Sequence, residues 1–179
     1  MDNKIFTSRD IVRIAVMSAL MVVCSWITVQ IPVIGVPFTL QTFAVFFALE
    51  FIGGRNGTIS FFIFVALGAL GVPVFSGFNG GIGHLFGPTG GYLIGFVFSC
   101  LIYWAFEKRF GYKNILHYAV LASSLFLCYI CGTVWFSLYM NKGFLSSFAI
   151  CVLPFIIPDV LKIALAVLLS VRLKKIIKV

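Results

Sequence analysis

Two charged residues stand inside an apolar run late in the sequence. In "PFIIPDVLKIALAVLLSV" (154–171), Asp159 and Lys162 lie three apart, a spacing that puts both on one face of a helix. A carboxylate accepts hydrogen bonds and an ammonium donates them, so the pair can hold a polar ligand or hold each other. Counting back from Arg172 at 1.5 Å per residue places Asp159 about 20 Å away, in the outer half of a ~30 Å apolar core. Either charge facing lipid would cost several kcal/mol, so both must face the interior or a cavity. Pro158 precedes the pair. A helix restarting there leaves free N–H groups in its first turn, with Asp159 among them.

Three further stretches carry polar groups or close-approach residues. "PFTLQTF" (37–43) places Gln41 at the start of an apolar segment, as a ligand contact or an interfacial polar residue, with Thr39 as a cap. "GFNGGIGHLFGPTGGYLIGF" (77–96) combines glycines, which let backbone approach a ligand, with Phe78, Asn79 and Tyr92. It has no Gly-Lys-Ser/Thr ending, so it does not read as a phosphate loop. "AVMSA" sets Ala15 and Ala19 four apart, a small-residue groove that admits another helix. Glu50 lies near Arg55 and reads as an interfacial ion pair; His84 and His117 read as polar lining. No HExxH, GxSxG or second deep acid accompanies Asp159, so catalysis lacks its parts. "CYIC" (128–131) has no second Cys/His pair to complete a metal site, and no metal is expected.

These residues need a membrane-like scaffold to position them. The chain has 179 residues, 61% hydrophobic and 10% charged, with a mean hydropathy of +1.13. A soluble domain carries about a quarter charged residues, so the chain reads as one integral membrane domain, 1–179. Its net charge of +8 sits in short patches between apolar runs, without the basic face and interleaved aromatics that grip nucleic acid. Six apolar segments are expected to cross, near 10–30, 39–52, 57–71, 90–107, 115–140 and 145–172. The first is too long for a signal-peptide core and reads as a helix capped by Thr7 or Ser8. The result is an all-α six-transmembrane-helix bundle. Nearly all cations fall on one side of it, which puts both termini in the cytoplasm. The loops 31–38, 72–89 and 141–145 then lie outside. They are rich in Gly and Pro, poor in charge, and expected to fold back on the bundle.

Several of these stretches together resemble the BioY family, the biotin-specific substrate-capture (S) components of energy-coupling factor transporters. The resemblance rests on "VPFTLQTFAVFFA" (36–48), "GFNGG" (77–81), "GPTGGYLIGF" (87–96), "PFIIPDVLKI" (154–163) and the Ala15/Ala19 spacing. It implies a high-affinity biotin-binding subunit in a prokaryotic plasma membrane, surrounded by lipid, and not an enzyme. It also implies a transmembrane coupling subunit that docks on Ala15 and Ala19, two cytoplasmic ATPases, and no resident cofactor. On this reading Asp159 accepts from the ureido N–H groups and Asn79 complements the ring. Phe78, Tyr92 and Trp135 supply an apolar wall, with Gln41 nearby. Lys162 meets either the ligand carboxylate or Asp159, and the residues leave both open. An S component for another vitamin, and a membrane enzyme using Asp159, are the competing readings.

Overall fold

A computed structural model describes residues 6–29, 36–111 and 116–177. The chain opens with helix α1 (Ser8–Trp26), started by a capping box. The Thr7 hydroxyl accepts from the Asp10 N–H at 3.2 Å, and the Asp10 carboxylate accepts from the Thr7 N–H at 3.0 Å. This reciprocal exchange satisfies two donors that a helix start leaves orphaned. Strands β1 (Thr28–Val29) and β2 (Phe38–Thr39) then pair antiparallel, Thr28 opposite Thr39. Residues 31–35 of the outer loop expected over 31–38 lie outside the described residues.

Helix α2 (Gln41–Ile52) is buried along nearly its whole length, as an all-apolar helix must be. It runs through the middle, against α1, α3 (Gly54–Ala69) and α8 (Ile156–Ile177). After α3, residues 70–89 form a 3-10 turn at Ser76–Phe78 and a one-turn helix α4 (Ile82–Leu85). This connection is pinned to the helices: the Trp26 indole donates to Pro73 O (2.8 Å), and the Trp135 indole donates to Gly87 O (2.9 Å). Helix α5 (Gly90–Phe110) packs along α6 (Leu116–Met140), which leads into α7 (Phe144–Cys151) and α8.

Small residues let α5 and α6 touch backbone to backbone. A Cβ on Gly95 would meet the Cys128 Cα at 2.7 Å, and one on Gly132 would meet the Tyr92 ring at 2.7 Å. Buried hydroxyls tie other pairs. Ser18 Oγ donates to Ser60 O (3.0 Å) across α1–α3, Thr58 Oγ1 to Cys100 O (3.2 Å) across α3–α5, and Ser99 Oγ to Ser124 O (2.7 Å) across α5–α6. Packing and side-chain hydrogen bonds of this kind hold helices together where lipid removes the hydrophobic drive.

The six expected crossings are corrected. Among the described residues, two helices are long and apolar enough to cross a membrane, Gly90–Phe110 and His117–Met140. A third is gained if α7 and α8, bent by 49°, count as one broken span. The reason is length and charge. Helices α2 and α3 have 12 and 16 residues, or about 18 and 24 Å, short of a ~30 Å core. Helix α1 carries Arg9, Asp10 and Arg13 in its first two turns. The architecture is all-α apart from the two-residue strands, with short helices packed beside the long ones.

Glu50 is also placed differently from expectation. Its carboxylate lies 2.7 Å from His117 Nε2 and accepts from the Tyr103 hydroxyl at 3.1 Å. The Arg55 guanidinium lies over the Phe6 ring. Arg55 is closer in sequence, but α2 ends between the two residues and α3 carries Arg55 off along a different axis.

Candidate ligand-binding site

The N-terminal ends of α2, α5 and α8 converge on one cleft. It is lined by Thr39 of β2, Gln41 at the start of α2, Phe75, Ser76 and His84 from the 70–89 connection, Tyr92 and Phe96 from α5, Phe155 just before α8, and Asp159 and Lys162 from α8. The space it bounds, counted out to and including the open mouth, is about 610 Å³. The opposite ends of α5 and α8 carry Lys108, Arg109, Arg172, Lys174 and Lys175. The cleft therefore opens away from the basic end of the molecule.

Asp159 and Lys162 are 5% and 7% exposed and form a salt bridge, Nζ to Oδ1, at 2.8 Å. Lys162 Nζ also donates to Thr39 O at 2.7 Å and lies 3.8 Å from the Phe38 ring centroid. The other Asp159 oxygen, Oδ2, accepts from the Tyr129 hydroxyl at 2.8 Å. Each carboxylate oxygen keeps a further lone pair, and an ammonium with two acceptors keeps a third N–H. The pair is thus held on several sides with hydrogen-bonding capacity left for a ligand. Helix α8 begins at Ile156, two residues before Pro158, and the Asp159 N–H donates to Phe155 O at 2.8 Å. The expected free N–H at Asp159 is therefore taken.

Gln41 Nε2 is buried without a hydrogen-bond partner. An unpaired buried donor costs about 1–3 kcal/mol, and here it belongs to a cleft-lining side chain. Tyr92 contributes its ring to the wall, while its hydroxyl donates to Cys151 O at 2.6 Å. The remaining wall is aromatic, from Phe75, Phe96 and Phe155. His84 stacks on Phe75 with ring centroids 5.0 Å apart, and burial pushes its imidazole below the ordinary histidine value.

Of the residues singled out in the sequence, Gln41, Tyr92, Asp159 and Lys162 share this cleft. Phe78 and Asn79 do not line it. They follow directly on the lining residues Phe75 and Ser76, with Phe78 stacked on Trp26 at 4.9 Å and Asn79 Nδ2 donating to Ser76 O at 2.9 Å. The Trp135 indole is occupied at Gly87, outside the lining set. Ala15 and Ala19 are exposed on the outer face of α1, beside exposed Ile11, Val12, Val16 and Val23. Among the described residues no group of His, Cys, Asp and Glu could hold a metal ion. Tyr129, which holds Asp159 Oδ2, and the wall residues Phe75, Phe96 and Phe155 carry no signal in the sequence that sets them apart from other aromatics.

A family profile described as BioY matches residues 1–179. The chain belongs to the BioY family. Among its relatives, a "Probable biotin transporter BioY" of Pyrococcus horikoshii is 38% identical over 167 residues, covering 93% of this chain and 97% of that protein. A "Biotin transporter BioY" of Thermotoga maritima is 36% identical over 168 residues, covering 93% and 96%. A crystal structure of the S-component for biotin from an ECF-type ABC transporter superposes with a TM-score of 0.86 at 29% identity, covering 95% of both chains. The short helices α2 and α3 of this BioY-family chain thus lie within a fold shared over nearly its full length.

Proposed function

We propose that this chain is the biotin-capturing S component of an energy-coupling factor transporter in a prokaryotic plasma membrane, acting as one membrane domain over 1–179. It is a transport protein and not an enzyme. The observation that carries the reading is the cleft, where a buried carboxylate with spare acceptor capacity and an unpaired amide donor stand in an aromatic wall. Biotin's ureido ring has two N–H donors and one carbonyl acceptor. Asp159 accepts from the N–H groups, and Gln41 Nε2 donates to the carbonyl. Phe75, Phe96, Phe155 and the Tyr92 ring pack on the bicyclic ring and the valeryl chain. Lys162 holds Asp159 in place and turns its third N–H to the ligand, while Asn79 and Phe78 act at the mouth. Positive-inside bias puts the basic end in the cytoplasm, so the cleft loads from outside. Ala15 and Ala19, exposed on α1, are the docking face for a transmembrane coupling subunit, and two cytoplasmic ATPases supply the energy for release.

Equilibrium titration of purified protein with biotin, with thiamine and riboflavin as competitors, tests the reading. Tight, stoichiometric biotin binding that neither competitor displaces is expected. Displacement by another vitamin would reassign the ligand on the same scaffold. Chemical turnover of biotin by the chain alone would point to an enzyme using Asp159.

A further inference from the structure

A second cavity lies on the membrane-facing side, between α6 and α8. Helix α6 packs on α5 and α7, and α8 packs on α2. Along the seam between α6 and α8 runs an open groove, about 1,380 Å³ when counted out to and including its mouth. One stripe of α6 forms one wall, Tyr118 through Leu121, Leu125 and Tyr129. One stripe of α8 forms the other, Ile156 through Val160, Ala164 and Leu168. Apart from two tyrosines the lining is aliphatic, Ala or Phe, and carries no charge.

The length of the groove identifies the kind of occupant. Tyr118 to Tyr129 is eleven helical steps, about 17 Å, and Ile156 to Leu168 is twelve, about 18 Å. Half of a ~30 Å hydrocarbon core is about 15 Å. The groove is therefore about one leaflet deep, which suits an acyl chain. A crossing helix from a partner would need the full thickness.

The end of the groove identifies the headgroup. Val171 and Lys175 continue the α8 stripe toward the basic end, and Arg172 flanks it one turn past Leu168. Both cations are exposed. Among the described residues the acids of this end are engaged elsewhere: Glu50 by His117 and Tyr103, Glu107 by the Gly54 amide, and Asp10 by Thr7 and Asn56. Lys174 lies within electrostatic reach of Glu50 and Glu107. Positive charge that no acid among the described residues pairs with, at the mouth of an apolar, leaflet-deep groove, calls for a phosphate on an acyl chain. We propose that the α6–α8 groove is a binding site for an anionic phospholipid, with an acyl chain between Tyr118 and Tyr129 and the headgroup phosphate on Arg172 and Lys175.

The test uses the full chain in nanodiscs containing equal phosphatidylglycerol and phosphatidylcholine with identical acyl chains. Lipids that stay bound are counted by native mass spectrometry. The wild type should retain phosphatidylglycerol over phosphatidylcholine by roughly twenty-five-fold, about fivefold for each exposed cation. The double variant R172Q/K175Q should lose that preference while still holding a lipid. Ala164 is exposed in the groove wall, so Ala164→Trp should expel both lipids with helix content and melting temperature unchanged. Equal retention of the two lipids by the wild type would overturn the proposal. So would undiminished phosphatidylglycerol in Ala164→Trp, or a dimer that this variant dissociates, which would make the groove a contact between two copies. None of these readouts depends on biotin.

Discussion

Among the described residues, two buried acid–base contacts lie at opposite ends of the molecule, and they do different work. Asp159–Lys162 is 5% and 7% exposed; Glu50–His117 is 4% and 7% exposed. Burial does not tell them apart. The cleft pair sits within one helix, three residues apart, and borders a cavity with an unpaired donor across from it. The other pair joins α2 to α6, and the Tyr103 hydroxyl brings in α5. A pair that links helices is a clamp. The cleft pair is also tied to α6 through Tyr129 and to β2 through Thr39, but it borders a cavity, so its spare lone pairs can meet a ligand. The neighbouring cavity, more than the perturbed environment, marks the site.

Removing one acid from each end breaks the comparison most sharply. Asp159→Ala leaves the Lys162 ammonium buried without its carboxylate, a loss on the order of 3–5 kcal/mol. Biotin affinity should fall by roughly a thousandfold or more in equilibrium titration. Glu50→Gln should instead lower the melting temperature of the detergent-solubilised protein and leave the biotin Kd within about twofold once the protein is folded. A Glu50→Gln protein that stays stable but loses biotin would mean that the clamp is part of the site.

Gln41 is expected to show the opposite balance of stability and affinity. Its unpaired amide is a cost of about 1–3 kcal/mol in the empty cleft. Gln41→Leu should therefore keep or raise the melting temperature while weakening biotin by roughly 10–100-fold. Equal losses in both would make Gln41 a packing residue. Tyr129→Phe removes one hydrogen bond to a charged carboxylate, about 1.5–3 kcal/mol. Its effect on biotin should be smaller than that of Asp159→Ala, because Lys162 still holds Asp159. Calorimetry that finds no change in affinity would confine Tyr129 to the wall of the lipid groove.

How much of this could be read from the sequence follows the same division. Asp159 and Lys162 were visible because a charge inside an apolar run is conspicuous and its depth can be counted from Arg172. Gln41 and Tyr92 were visible for a related reason, as polar groups at the starts of greasy segments. Tyr129 was not. Among the aromatics of α6 nothing local distinguishes it, and its role exists only because α8 brings Asp159 within 2.8 Å. The partner of Glu50 was hidden in the same way, since His117 is far along the chain and Arg55 is near. The directions of Phe78 and Asn79 depend on a turn whose backbone, with Phe78 at φ 58°, no residue pattern specified. Apolar composition revealed the membrane class, but it could not count crossings, because α2 and α3 are as greasy as spans without being as long.

His84 gives the smallest expected effect and the finest test of the cleft. It stacks on Phe75 in the wall, and burial holds its pKa below the ordinary value near 6.5. The folded protein therefore favours the neutral ring. Between the depressed folded pKa and about 6.5 the unfolded chain binds the extra proton, so stability rises with pH through that window. Above it the contribution is complete, and on acidification it is lost. His84→Gln removes the titration and should flatten the melting temperature of the ligand-free protein between about pH 7 and pH 5, relative to wild type. The comparison is the difference between the two proteins and not the wild-type curve alone, so that ionisation elsewhere in the chain cancels. If that difference is flat with pH, the His84 ring is already open to water and the cleft is wetter on this side than its Phe75 stack implies.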